Sequence, residues 1–468
     1  MTSTFTDDCP FLLGTLRALY HHRHHRLTHA LSEHSTFIPY PMHFPSANFP
    51  PPPDPALRQP FTTAAILPLY SCHFLLAVLA ILPYTFILRL ALVPIILWQT
   101  WNCAVVLDFS AGLARFLGLE SSDRLNHWNF AYVVRSTMSF LFHAFADARV
   151  ASQIGMFTVA LKSLQWAFAR KPLRRYERPA GWQHTPIERE LSIANVLLGA
   201  FDLLCSQRGI GWSWSSKPFP PTGTRTTSLP SILAKMLLKL VVFDIFHYLV
   251  QYTRPSLDIP AGDTLFDPTL SIIPRFALAT FLTLCAGVVV YTTVDAMYHF
   301  ATLVGRLILR QAAWQWPPLS NRPWMATSIT EFWSFRWHQF FRHLFVVFGG
   351  RPGGALLGRP GALIGAFAVS GVMHDLGIWG LGRGTEFRTA GGFFILMGVG
   401  AALEHSFKTL TGRRVCGLWG WAWTMGWTLG WGTLMIDAWA RRGMIACDFF
   451  PDGLRPGKRI VDAVISFT

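Results

Sequence analysis

A histidine lies in the middle of an apolar, glycine-rich stretch, VSGVMHDLGIWG at 369–380. An ionisable side chain at membrane depth is costly, so His374, followed by Asp375, marks a candidate functional site. Because the pKa of imidazole lies near working pH, a neutral His374 can take a proton from a hydroxyl group. The alternative is a histidine that hydrogen-bonds a neighbouring helix. The small residues Ser370 and Gly371 would let a helix or a ligand approach closely.

A second stretch, EFWSFRWHQFFRH at 331–343, mixes aromatic rings with arginines and histidines. On a helix, His338 would lie one turn from Ser334 and one turn from Arg342. This composition is typical of an aromatic belt with snorkelling arginines at a membrane interface. Residue spacing alone therefore leaves two interpretations open, an interfacial belt and a part of an active site.

Other polar groups have simpler interpretations. Asp244 and His247 share a helix face and are interpreted as a polar pair that satisfies itself between helices, rather than as ligands. Glu404 and His405 end an apolar run, which predicts an interfacial position. The HHRHHRLTH run at 21–29 is interpreted as a cationic tail or surface helix rather than a metal site. The seven cysteines are scattered, so we predict no metal site.

The elements that position these groups are predicted to be membrane helices. The chain is 51% hydrophobic and 14% charged, whereas soluble domains carry about 25% charged residues. Its net charge of +15 comes from residues that lie between long apolar runs, a distribution that fits basic loops and anionic lipids better than nucleic acid. We therefore predict an all-α polytopic membrane protein that contacts membrane lipids and no nucleic acid.

Apolar runs predict about 8 to 10 transmembrane helices, because one span needs roughly 20 residues. The predicted spans are two between 62 and 107, then 129–146, 151–169, 190–206, 231–252, 276–304, 361–381, 391–407 and 415–436. The predicted organisation is a polar, His- and Pro-rich region (1–60), a membrane domain (61–440) and a C-terminal tail (441–468).

The charges of the loops predict which side of the membrane each loop faces. Residues 170–235 and 306–322 are basic and are predicted to face the cytosol, whereas 254–275 carries three aspartates and is predicted to face the lumen.

Three segments resemble one protein family. WPPLSNRPWMATSITEFWSFRWHQFFRH (316–343) resembles the first signature of the wax-synthase-like branch of the membrane-bound O-acyltransferase superfamily, and SGVMHDLG (370–377) resembles its second signature. RGIGWSWSSK (208–217) is similar to a segment of fungal members. The matching residues of the first signature are Ser328, Phe332, Trp333, Arg336, Trp337, His338 and Gln339. Ser334 and Phe335 depart from it, because glycine and arginine are usual there.

The resemblance implies a helical bundle that encloses a reaction chamber, in which an acyl group passes from a coenzyme A thioester to a hydroxyl. His374 corresponds to the family's catalytic histidine, the expected general base. His338 corresponds to the second catalytic position, where it would position the thioester or donate to its oxygen.

The first signature is also expected to hold the acyl-CoA. Arg336 and Arg342 would meet the coenzyme A phosphates, since arginine forks suit phosphate oxygens. Trp333, Trp337 and Gln339 are expected to complete the acyl-CoA site.

Among family activities, the RGIGW segment and the proline-rich N-terminus are more similar to fungal acetyltransferases. The sequence thus predicts transfer of acetyl from acetyl-CoA, a co-substrate, to a hydroxyl of a lipophilic terpenoid or meroterpenoid, with no tightly bound cofactor. The alternatives are a long-chain wax-ester or sterol-ester synthase and, in another class, a membrane transporter or lipid-binding protein. The expected location is the endoplasmic reticulum membrane, with the acyl-CoA site facing the cytosol.

Overall fold

The computed structural model describes most of the chain after residue 57. The described residues are 58–60, 62–108, 148–177, 187–188, 191–215, 227–259, 261–381, 384–446, 450 and 455–466. The predicted span at 129–146, the histidine-rich run at 21–29 and nearly all of the predicted 1–60 region lie outside these residues.

Helices dominate the described structure. They are α1 (Thr63–Ile81), α2 (Phe86–Val106), α3 (Ala148–Ala167), α4 (Ile193–Cys205), α5 (Leu229–Thr253), α6 (Ile272–Leu307), α7 (Arg351–Gly380), α8 (Gly392–Thr411), α9 (Gly417–Arg441) and α10 (Pro456–Ser466). Two pairs of two-residue strands accompany them, β1 (Gln59–Pro60) parallel to β2 (Leu107–Asp108) and β3 (Tyr176–Glu177) antiparallel to β4 (Ile187–Glu188).

Long uncharged runs form the helices that the sequence predicts. Within the described residues, 5 helical segments are long and apolar enough to cross a membrane: Thr63–Ile81, Phe86–Val106, Ile272–Leu307, Arg342–Gly380 and Phe387–Thr411. The predicted all-α polytopic membrane fold is therefore confirmed. The predicted spans at 231–252 and 415–436 form α5 and α9, which are not among these five segments.

The described helices pack into two large apolar cores and a smaller one between α5 and α6. The first joins α1, α2, α3 and α4 around the fully buried Trp166 and Trp212. The second joins α5, α6, α7, α8 and α9 around buried residues such as Leu282, Met397 and Ile436. The candidate site lies beside this second core.

The segment Arg342–Gly380 folds back on itself and forms what we call the glycine hairpin. Leu357 and Gly358 leave the helical conformation, Gly358 with φ +63°. The backbone of the first arm (342–356) then touches the second arm (360–380), because Gly349 lies against the carbonyl of Gly365 and Gly353 lies against that of Gly361. A side chain at these glycines would collide with backbone, so the arms approach through the small residues. The sequence predicted the second arm as a span but not the first.

Polar contacts gather the basic loops at one end of the bundle. Nη1 of Arg306, near the end of α6, donates to the backbone carbonyl of Thr227 at 2.6 Å. The start of α5 therefore lies beside the end of α6. Arg208, the first residue of the RGIGW segment, donates to the carbonyl of Pro317 at 2.7 Å and to the hydroxyl of Tyr298 at 3.1 Å. This segment thus holds the start of the 316–343 motif.

Asp244 and His247 form a structural lock, but they bond to residues of the C-terminal region and not to each other as the sequence interpretation of a self-satisfied pair predicted. The Asp244 carboxylate accepts from Arg455 Nε at 3.0 Å and from the backbone N–H of Gly457 at 2.7 Å. His247 contacts the carbonyl of Ile445 at 3.2 Å. The lock fastens α10, part of the predicted tail, to α5.

Candidate active site

A cavity of about 820 Å³ lies between α6, α8, α9 and the glycine hairpin. Its wall is mostly aliphatic and aromatic, which is typical of small-molecule sites. Both signature histidines, His338 and His374, line it, and so do Trp333, Trp337 and Arg342. The structure therefore brings together five of the seven site residues expected from the sequence.

His374 lies on the second arm of the hairpin, and its tautomer follows from one hydrogen bond. Its Nδ1 is 2.8 Å from the backbone carbonyl of Ser370, one turn earlier. A carbonyl oxygen only accepts, so Nδ1 must carry the hydrogen and the neutral ring keeps its lone pair on Nε2. The ring stacks on Phe394 of α8 with centroids 4.2 Å apart, which fixes its plane. This arrangement suits a general base.

His338 comes from a bend in the chain, so the helix considered for this stretch is wrong at this point. The π-helical turn Phe332–Arg336 ends with Trp337 in an extended conformation (φ −75°, ψ 162°), and helix resumes only at Arg342. Burial, and then the nearby His374, lower the pKa of His338 to about 3. The ring is therefore neutral at neutral pH. Its buried Nδ1 has no hydrogen-bond partner among the described residues.

The two motif tryptophans shape the cavity wall beside the histidines. The Trp333 ring lies edge-on to Phe367, Phe393 and Phe394, with centroids 5.7 to 6.1 Å away. Trp337 stacks on Phe332 with centroids 5.4 Å apart. The Trp333 Nε1 is buried, with no hydrogen-bond partner within the described part of the chain. An unpaired donor in the cavity wall is available to hydrogen-bond a ligand.

Arg336 and Gln339 lie outside the cavity lining and instead brace the bend. Arg336 Nε pairs with the Glu331 carboxylate at 2.7 Å. The Gln339 amide donates to the carbonyls of Trp337 at 2.7 Å and Trp333 at 3.1 Å. These contacts hold the histidine-bearing bend in place, and they occupy the groups expected to bind acyl-CoA.

Two arginines that the sequence analysis did not single out line the cavity. Arg351 lies on the first arm of the hairpin and Arg359 lies just after its turn, and both are exposed, as is Arg342. None of the three has a carboxylate partner among the residues that the structure describes. The hairpin thus presents a cationic edge to an otherwise apolar cavity.

Glu404 is a positioning residue whose predicted interfacial location is wrong. Its carboxylate is buried and accepts from the backbone N–H groups of Ile329 (2.5 Å) and Thr330 (3.0 Å), and from the hydroxyl of Thr330 (2.8 Å) and the indole of Trp423 (3.1 Å). A carboxylate at the N-terminal N–H groups of a helical segment is favourable. Glu404 therefore fixes the start of the motif to α8.

Asp375 points away from the catalytic position. Its Oδ1 accepts from the backbone N–H of Glu386 at 2.6 Å, and Glu386 in turn pairs with Arg442 at 2.7 Å. Asp375 does not line the cavity. Among the described residues no group of three His, Cys, Asp or Glu side chains is arranged to hold a metal ion.

Comparison with known proteins matches the part of the chain that contains both cavity histidines. Residues 316–396 match the model of the membrane bound O-acyl transferase family. The chain is 26% identical over 223 residues to the O-Mevalon transferase yanI of Aspergillus niger, covering 42% of this chain and 48% of that protein. It is 31% identical over 123 residues to the acetyltransferase spyB of Aspergillus fumigatus, covering 25% and 21%. It is 32% identical over 106 residues to a long-chain-alcohol O-fatty-acyltransferase of Simmondsia chinensis, covering 21% and 30%.

These matches span about half or less of each relative's length. The residues that match the family model, 316–396, contain both signatures and both cavity histidines. Residues 316–396 are thus similar to the membrane bound O-acyl transferase family, and the relatives agree with the resemblance to its wax-synthase-like branch.

Proposed function

We propose that this protein transfers an acetyl group from acetyl-CoA to a hydroxyl of a lipophilic secondary metabolite of the terpenoid or meroterpenoid class. The observation that carries the proposal is the tautomer of His374, whose free Nε2 belongs to a ring that lines the apolar cavity. An alcohol has a pKa well above neutral and needs such a base to attack a thioester.

In the proposed reaction, His374 acts as the general base. His374 Nε2 takes the hydroxyl proton as the alcohol oxygen attacks the thioester carbonyl. The carbon–sulfur bond then breaks, and the coenzyme A thiolate leaves and takes up a proton from His374. A proton on the unpaired Nδ1 of His338 would donate to the carbonyl oxygen while negative charge develops there.

The hairpin arginines support coenzyme A as the carrier of the acyl group. The second arm ends beside Glu386 and Arg442, so the turn of the hairpin lies at the opposite end, with the basic loops. At 1.5 Å per residue, Arg359 lies about 22 Å along the arm from the level of His374. Coenzyme A carries its thioester on a long pantetheine arm, and this separation lets arginines hold the phosphates while the thioester reaches the histidines.

The names of the relatives support two kinds of acyl group as the one transferred. The names of two fungal relatives contain O-Mevalon transferase and acetyltransferase, which supports acetyl or another small acyl group. The plant relative is named for a fatty acyl group, so a long-chain wax-ester synthase is the second candidate. The relatives named above are all transferases, which gives the transporter alternative no support. We further propose the endoplasmic reticulum membrane as the location, with the basic end facing cytosolic acyl-CoA.

The test is a donor comparison in microsomes that contain the expressed protein. Labelled acetyl-CoA and labelled palmitoyl-CoA are supplied separately with terpenoid alcohols and long-chain alcohols. The proposal predicts acetyl esters above the level of empty-vector microsomes. Palmitoyl esters without acetyl esters would establish the second candidate instead, and no ester from either donor, with folded protein present, would contradict both.

The hairpin arginines should control donor affinity. We expect Arg351→Ala and Arg359→Ala each to raise the KM for acyl-CoA about tenfold, because each removes a charge-assisted hydrogen bond to phosphate. The KM for the alcohol should not change. Arg413→Ala is the matched control, because Arg413 is an exposed arginine outside the cavity lining. An unchanged acyl-CoA KM in both hairpin variants would place the phosphates elsewhere.

Phe335 stands where the family signature usually has arginine, and it lies away from the cavity. Its side chain is 58% exposed and does not line the cavity. We therefore expect Phe335→Arg to leave the KM for acyl-CoA within about twofold of wild type, as for most surface substitutions. Steady-state kinetics with varied acyl-CoA measure this. A clearly tighter KM would show that this position reaches the donor.

A further inference from the structure

One wall of the cavity carries no charge. On α6, residues such as Leu284, Gly287 and Val288 line the cavity, which the arginines of the hairpin's cationic edge also line. α6 packs on α5 and α9, whereas the hairpin packs on α3 and α8. The α6 wall is therefore an uncharged side of the cavity, with Thr283, Tyr291 and Thr292 among its aliphatic residues, and it is built on other helices than the hairpin that carries the arginines.

Gly287 is the unusual residue of this wall. A glycine inside a membrane helix often serves the close packing of a neighbouring element. The other glycine of α6, Gly305, serves such packing, because a side chain there would collide with Trp316. Gly287 serves no such packing. It sits within helical α6, and a Cβ at this position would have no atom within 4 Å.

The other cavity glycines on helices are explained by packing. A Cβ on Gly432 of α9 would lie 3.0 Å from Thr283, and one on Gly350 of the hairpin would lie 3.3 Å from the carbonyl of Ala362. Gly287 alone among these three leaves its space open to the cavity. The missing side chain therefore enlarges the cavity without serving the packing of the protein.

We propose that Gly287 sets the width of the pocket for the acceptor alcohol, whose apolar body occupies the open space in front of α6. This inference deepens the proposed function and rests on it for the identity of the ligand. The alcohol fits this space better than the acyl chain does, because an acetyl group is too small to need it. The cationic edge that fits the phosphates of coenzyme A is also on the hairpin and not on α6. Gly287 acts as a specificity-determining residue and takes no part in the chemical step.

The test fills this space with a phenylalanine. A phenylalanine ring in this space should exclude the body of a bulky alcohol, so we expect Gly287→Phe to raise the KM for farnesol, a terpenoid alcohol, about tenfold or more. The KM for butan-1-ol, a small alcohol, and the KM for acyl-CoA should remain near wild type. Gly430→Phe is the matched control: Gly430 is also in a helix with nothing within 4 Å of a Cβ, but it does not line the cavity. An equal loss for both alcohols, or a changed acyl-CoA chain-length preference, would overturn the inference.

A second measurement needs no turnover. Farnesol should raise the thermal unfolding midpoint of the purified wild-type and Gly430→Phe proteins, and should raise that of Gly287→Phe much less. Equal stabilisation of all three proteins, or of none, would overturn the inference. If ester formation is never detected but this difference is seen, the proposed reaction fails while the pocket assignment stands.

Discussion

Replacing His374 with alanine is expected to reduce ester formation by about 10²- to 10⁴-fold, the usual contribution of a positioned general base. The reason is specific to the geometry. The carbonyl of Ser370 holds the hydrogen on Nδ1, so no other tautomer competes for the proton of the alcohol. The loss should appear in kcat, with little change in the KM for acyl-CoA, because the ring takes its proton in the transition state.

The measurement compares initial rates at equal amounts of folded protein in the membrane. His405→Ala is the matched control, because His405 lies near the end of α8 and does not line the cavity. It should retain near wild-type rates. Ester formation that survives His374→Ala at the wild-type rate would remove the base assignment, even if the protein proves to be an acyltransferase.

Replacing Glu404 with alanine is expected to have the largest effect on stability. The carboxylate accepts four hydrogen bonds that fix Ile329, Thr330 and Trp423, and hydrogen bonds to charged groups contribute about 1.5–3 kcal/mol each. The bonds are not additive, and we expect a loss of about 3 kcal/mol or more, because several buried donors are left without an acceptor. The motif should then detach from α8, and activity should fall with it.

Two readouts check this expectation. The thermal unfolding midpoint in detergent should drop clearly for Glu404→Ala and less for Glu404→Gln, which keeps one acceptor oxygen. Proteolytic cleavage within 316–343 should become faster in the alanine variant. A Glu404→Ala protein with wild-type unfolding and wild-type proteolysis would show that the carboxylate does not hold the motif.

The sequence predicted the helices that local composition determines. Long runs without charge, such as the two between 62 and 107, became α1 and α2, because the membrane selects apolar stretches of sufficient length. The family signatures identified His374 and His338, and the structure brings both to one cavity. These features depend on a few neighbouring residues, and a single sequence contains that information.

Features that depend on distant pairing were missed. The first arm of the glycine hairpin contains Arg351 and is short, so hydropathy does not reveal it. The available signal was the pair of Gly-x-x-x-Gly repeats, Gly349 with Gly353 and Gly361 with Gly365, on either side of a turn containing Gly358. Such repeats permit close helix contact, but their antiparallel pairing is a tertiary property.

Glu404 is another residue whose role depends on a distant part of the chain. A glutamate near the end of an apolar run is usually interfacial, and only the position of Ile329, 75 residues earlier in the chain, shows that it is buried and bonded. Arg336 and Gln339 have the residue types of a phosphate site, yet their local partners in the bend occupy them. The residue types predicted the chemistry of the motif, but only the three-dimensional structure shows which groups Arg336 and Gln339 contact.

The most direct test of the central claim follows both products of one reaction. The purified protein in lipid nanodiscs is given acetyl-CoA labelled on the acetyl group together with a terpenoid alcohol, and ester and free coenzyme A are measured over time. The account predicts labelled ester and free coenzyme A in equal amounts, and neither above background with His374→Ala. Coenzyme A release without ester, or no release by folded wild-type protein with acetyl-CoA, would contradict it.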